Sequence, residues 1–71
     1  MIKQKIREVA EAKDINQMEL ARMSGVGYTT IRRIFDEPTY TPNFPTLERI
    51  AKALDVSTLE LVEEVSDEED E

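Results

Sequence analysis

Two adjacent arginines, Arg32 and Arg33, follow Tyr28, Thr29 and Thr30 within the stretch QMELARMSGVGYTTIRRIF at residues 17–35. Guanidinium and hydroxyl groups this close together suit hydrogen-bond donation to anions and polar edges, and arginine in particular meets phosphate well. Bond-making chemistry has few candidates. The chain contains no histidine and no cysteine, which removes the commonest general base and metal ligand as well as any thiolate or disulfide. No glycine-rich phosphate loop is present. Catalysis would need a pair of carboxylates in a cleft, and the carboxylates here fall on faces expected to be solvated or in a terminal run. Neither an enzyme nor a cofactor is expected.

The arginines stand against the overall charge, which is −7. That charge is uneven. Residues 1–36 hold seven Lys/Arg against five Asp/Glu, a balance of +2, whereas residues 37–71 hold two against eleven, a balance of −9. Five of those acids form the terminal run DEEDE. A block of like charge without apolar residues repels itself and cannot pack, so residues 66–71 are expected to be a disordered tail on a domain spanning residues 1–65. Without the run, the body carries only −2.

At 71 residues the chain is one domain, and it must bury its apolar side chains efficiently. No apolar run approaches the roughly 20 residues that cross a bilayer. The N-terminal MIKQKIREV lacks the apolar block of a signal peptide. A cytoplasmic protein without membrane contact is expected.

Five short helices and no strand are predicted to hold the arginines in place. The first covers about Lys3 to Lys13, with Ile2, Ile6, Val9 and Ala10 at helical spacing. Asn16 and Glu19 form a capping box that opens the second, and Gly25 closes it. The third covers about Tyr28 to Phe35 and buries Ile31, Ile34 and Phe35. The proline-bearing DEPTYTPN is a loop. Asn43 caps the fourth helix, whose inward stripe is Phe44, Leu47, Ile50, Ala51 and Leu54, and Pro45 is tolerated in its first turn. Ser57 and Glu60 form a second capping box and begin a short fifth helix through Leu61, Val62 and Val65. Met18 and Met23 are expected to fill gaps at the edge of the core.

The intervals between Ala21, Gly25, Val26, Ile31 and Ile34 have a geometric meaning. Two helices joined by a short turn at a steep angle come close near the bend. Ala21 allows that approach, Gly25 permits the reversal and Val26 plugs the space beneath it. Ile31 and Ile34 then anchor the second helix while its other face stays exposed. This is a helix-turn-helix.

QMELARMSGV resembles the Gln-x-x-Leu-Ala-x-x-x-Gly-Val opening of the Cro/C1-type (XRE, lambda-repressor-like) helix-turn-helix family. PNFPTLERIAKALDVS is similar to that family's later Pro-Ser-Leu-x-x-Leu-x-x-Leu-Ala-x-Ala-Leu-Gly-Val-Ser stretch. The two lie in the family's order and span about residues 3–63. The resemblance implies an all-α, compact five-helix domain that binds double-stranded DNA, with the second helix of the motif in the major groove. Carried over, the groove-facing candidates are Tyr28, Thr29, Thr30, Arg32 and Arg33, and Gln17 matches the position that grips a phosphate at a helix N-terminus. Arginine donates two hydrogen bonds to guanine, and threonine offers a hydroxyl and a methyl for thymine. Arg32 or Arg33 can instead serve phosphate alone, and Tyr28 can pack on Ile31 rather than read a base.

A regulator of this kind is expected to act as a homodimer or beside a second DNA-binding protein. Leu59 is either an isolated surface leucine or part of that contact. The alternative is a protein-interaction module of the same fold, antitoxin-like or anti-repressor, in which the acidic half docks a basic partner.

Overall fold

Local hydrogen bonds set where the helices start. The computed structural model describes residues 1–65, so the expected acidic tail at 66–71 lies outside the described residues. Helix α1 (Ile6–Ala12) is followed by α2 (Gln17–Ser24), which opens on the expected capping box. Asn16 Oδ1 accepts from the Glu19 N–H at 2.8 Å, and the Glu19 carboxylate accepts from the Asn16 N–H at 3.2 Å. Helix α3 spans Tyr28–Asp36. Helix α4 (Phe44–Leu54) is capped by Asn43, whose Oδ1 accepts from the Thr46 N–H at 3.0 Å. Caps of this type contribute about 1 kcal/mol each.

The ends are equally specific. Gly25 closes α2 at φ +75°, and its N–H donates to Ala21 O at 3.0 Å. Asp14 and Asp55 adopt the same left-handed conformation after α1 and α4, at φ 63° and 59°. Aspartate visits that region more readily than most residues, so both chain reversals proceed without glycine.

All four helices face one core. α1 supplies Ile6 and Ala10, α2 supplies Leu20, and α3 supplies Ile31, Ile34 and Phe35. α4 adds Leu47, Ile50, Ala51 and Leu54, and Leu61 seals the far side. Val26 packs against this cluster beneath the turn between α2 and α3, as its position in the motif requires. Burial of each large side chain contributes roughly 1.5–3 kcal/mol.

Two expectations are corrected. The helix count is four, not five, and the described residues include a small sheet. Strand β1 (Ile2–Gln4) pairs antiparallel with β2 (Val62–Glu64), Lys3 facing Glu63. Residues 2–4 therefore leave the first helix, which starts at Ile6 rather than about Lys3. The ladder extends past both strands, with Lys5 N–H donating to Leu61 O at 2.7 Å and Val65 N–H to Met1 O at 2.7 Å.

The predicted fifth helix is a single 3-10 turn, Thr58–Leu61. Its cap forms as expected, with Ser57 Oγ accepting from the Leu59 N–H at 3.0 Å and Glu60 accepting from the Ser57 N–H at 3.3 Å. A cap specifies a beginning and not a length. From Val62 onward the backbone groups find partners on β1, and the β-branched valine suits an extended strand.

Several side chains sit farther out than expected. Ile2 is exposed on the sheet, Met18 and Met23 are exposed on α2, and Phe44 is 59% exposed at the first position of α4. Helix α4 enters the core only at Leu47.

Candidate nucleic-acid interface

Helix α3 owes its position to one anchored side and one open side. Ile31, Ile34 and Phe35 are buried, whereas Tyr28, Thr29, Arg32, Arg33 and Asp36 are exposed. Thr30 is half-buried on the flank of the helix, less available than its neighbours. The expected groove-facing set thus divides into four exposed side chains and one that is partly covered.

The turn before α3 is built from small residues and one side-chain bond. Ser24 is buried, and its Oγ accepts from the Val26 N–H at 3.2 Å. Gly27 precedes α3 without a side-chain cap. The N–H groups of the first turn of α3 are consequently left for solvent or a ligand.

Gln17 and Tyr28, first residues of α2 and α3, are brought together. Tyr28 Oη donates to Gln17 Oε1 at 3.3 Å. This contact leaves the Gln17 amide N–H₂ available as a donor. At the start of α2 the capping box takes up the Glu19 N–H, and those of Gln17 and Met18 precede the helix's internal ladder. Side-chain and backbone donors therefore converge on one helix end, where the helix dipole favours an anion. Tyr28 is 45% exposed, and its hydroxyl is engaged by Gln17.

The two arginines differ. Arg33 is held, with Cζ 4.1 Å from the centroid of the Tyr40 ring and Nε 3.5 Å from Glu37 Oε1. For Arg32, neither an ion pair nor a side-chain hydrogen bond is formed among the described residues. Asp36 carries negative charge at the end of the same exposed face. An open groove of about 800 Å³ adjoins Gln17 and Tyr28 and is walled partly by Glu11, Asp14 and Asp36. Cationic and acidic side chains thus alternate along this surface, so any polyanion would meet a narrow rather than a broad positive strip.

The residue that ties α3 to the rest of the fold is not among those expected from the sequence. Gln4 is 3% exposed. Its Nε2 donates to Ile34 O at 2.6 Å and to Glu37 O at 3.2 Å, and its Oε1 accepts from the Ile6 N–H at 2.9 Å. In a continuing helix, Ile34 O would accept from residue 38, which is proline and has no N–H. Gln4 supplies the missing donor. One amide side chain finishes α3 and starts α1 together. No local signal in KQK marks it. The contact of Tyr40 with Arg33 has no local signal either, because the loop that carries Tyr40 has no periodicity to read.

The profile of the helix-turn-helix family HTH_3 matches residues 6–61. The transcriptional repressor RstR of cryptic phage CTXphi, from Vibrio cholerae, is 37% identical over 62 residues. That alignment covers 87% of this chain but 55% of the repressor, so the chain spans little more than half that relative's length. A crystal structure of a candidate DNA-binding protein from Bacteroides fragilis superposes with a TM-score of 0.78 at 25% identity. It covers 89% of this chain and the whole of the other.

Proposed function

We propose, for a chain that belongs to the HTH_3 helix-turn-helix family of Cro/C1 type, a role as a sequence-specific DNA-binding transcriptional regulator, acting as a repressor. Helix α3 lies in the major groove, with Tyr28, Thr29 and Arg33 toward the bases, Arg32 toward a base or the phosphate backbone, and Thr30 at the margin. Gln17 and the start of α2 grip a phosphate beside it. The observation that carries this reading is the division of α3 into a buried side and an exposed Thr/Arg side, next to a donor-rich helix end joined to it through Tyr28 and Gln17.

Charge decides how such a protein must work. Affinity for DNA comes largely from neutralising phosphates, and the cationic strip here is narrow. One copy holds DNA weakly. Two copies, or one copy beside another DNA-binding protein, engage half-sites about 34–36 Å apart and combine their contacts. The alternative, an antitoxin-like or anti-repressor interaction module, is favoured by the acids that flank the strip, Glu11, Asp14 and Asp36.

The test is selection of bound duplexes from a random pool, followed by titration of the winner across a salt series. Enrichment of a two-fold-symmetric site and a steep fall of affinity with salt support the regulator. Flat, negligible binding at low salt refutes it and leaves the interaction module.

A further inference from the structure

We propose that Tyr40 and Glu37 are positioning residues that hold Arg33 as a preset reader of guanine, and that Arg32 serves phosphate. The proposal deepens the DNA-binding reading above and rests on it.

Two contacts restrict the guanidinium of Arg33. The Tyr40 ring face, 4.1 Å from Cζ, backs the group on one side and limits how it can tilt. The Glu37 carboxylate at Nε sets its rotation within its own plane. At 3.5 Å between exposed partners the ion pair alone is a weak hold, so the ring is the firmer of the two. Tyr40 is itself fixed. Its N–H donates to Glu37 O at 2.9 Å, its side chain packs on the core, and the adjacent loop is pinned by buried Pro42. Glu37 O is also bonded by Gln4.

Engagement through Nε leaves the paired N–H donors of Nη1 and Nη2 without a hydrogen-bond partner among the described residues. Guanine offers O6 and N7 as two acceptors in one plane at the edge of the major groove, and reading it requires two donors held in that plane. A side chain already ordered gives up less freedom on binding than a mobile one. Phosphate oxygens make no such demand, since they accept from many directions. Arg32, exposed and unheld among the described residues, suits them.

The test uses the full chain with Tyr40→Leu, which keeps apolar packing and removes the aromatic face, and Tyr40→Phe, which keeps the face and removes the hydroxyl. In the free protein, NMR should find the Arg33 Hδ protons shifted upfield by the ring in wild type and in Tyr40→Phe, and unshifted in Tyr40→Leu. In duplex selection, wild type and Tyr40→Phe should prefer guanine at one position of each half-site. Replacing that base by 7-deazaguanine, which lacks the N7 acceptor, should weaken both. Tyr40→Leu should reduce the guanine preference roughly two- to fivefold without weakening binding to competitor DNA. Arg33→Ala should abolish the preference, whereas Arg32→Ala should weaken all sequences alike and lower the salt slope by about one.

A uniform loss across sequences for Tyr40→Leu overturns the proposal, as does an unchanged guanine preference. Unshifted Arg33 protons in a wild-type chain that binds DNA overturn it too. A wild-type chain that binds no duplex at low salt while keeping the shifted protons refutes the DNA-binding reading, and the guanine assignment falls with it.

Discussion

Gln4 is the residue whose replacement should cost most for the least change in shape. Its amide group bonds three backbone groups that have few other partners: the Ile34 and Glu37 carbonyls and the Ile6 N–H. Gln4→Met fills similar space and removes all three bonds. The Glu37 carbonyl keeps its bond from the Tyr40 N–H, so that loss is small. The Ile34 carbonyl has no helical donor because Pro38 stands four residues on, and the Ile6 N–H is the first of its helix. Leaving a buried polar group unsatisfied costs about 1–3 kcal/mol. Two such groups give an expected destabilisation of about 3 kcal/mol, or roughly 12–24 °C in Tm for a domain of this size. Urea unfolding monitored by circular dichroism measures it directly, with an unchanged m-value as the sign that only stability moved. Gln4→Glu sharpens the test. At neutral pH the new carboxylate still accepts from the Ile6 N–H but turns negative oxygens toward two carbonyls, so it should be at least as unstable as the methionine variant. As pH falls and the carboxyl takes up a proton, it regains one O–H donor and should recover part of the gap to wild type measured at the same pH. A Gln4→Met protein within 1 kcal/mol of wild type would refute this account of how α1 and α3 are joined, on the scale of a single net hydrogen bond.

Gly25→Ala should destabilise by about 1 kcal/mol, purely through its left-handed φ of +75°, because an added Cβ meets nothing within 4 Å. Asp55→Gly, at φ 59°, should instead be neutral or stabilising by about 0.5 kcal/mol, with both read from denaturant midpoints. Deleting residues 66–71 removes five acids. Binding of any duplex should strengthen at low salt and the gain should fade at high salt, and unchanged binding would discard the idea of an electrostatic brake. Leu59 is 80% exposed, so Leu59→Ser should leave the unfolding midpoint of the monomer within about 0.5 kcal/mol. If Leu59 lies between two protomers, the same change should lower self-association in sedimentation, whereas an unchanged profile would identify it as an isolated surface leucine.

Elements whose signals are local were legible. The Asn16–Glu19 box, the Gly25 reversal and the Asn43 cap each depend on residues within four positions of one another, and each forms as its residues require. Helix α3 was bounded to within one residue for the same reason. The sheet was not legible. IKQ and VEE are three residues each, too short to show an alternation, and each continues the period of a neighbouring helix. Their pairing is decided across about sixty positions of chain, beyond the reach of any window. The site divides in the same way. That α3 would bury Ile31 and Ile34 and leave its other face open follows from periodicity, although Thr30 is half-buried on the flank. That Tyr28 would meet Gln17, and that Arg33 would be engaged by Tyr40 and not stand free beside Arg32, depends on where a turn and an irregular loop bring their side chains in space.

The hydrogen bonds between Met1 and Val65 bring position 1 and position 65 side by side. Topologically the described chain is almost a ring, with its two open points touching. A short linker in place of residues 66–71 would complete the circle without moving any helix, and new ends could then be cut beside exposed Thr41, between the packed Tyr40 and the buried Pro42. The reordered polypeptide would keep the packing of the four helices while converting the longest-range pairing into a neighbouring one, and its folding should quicken accordingly.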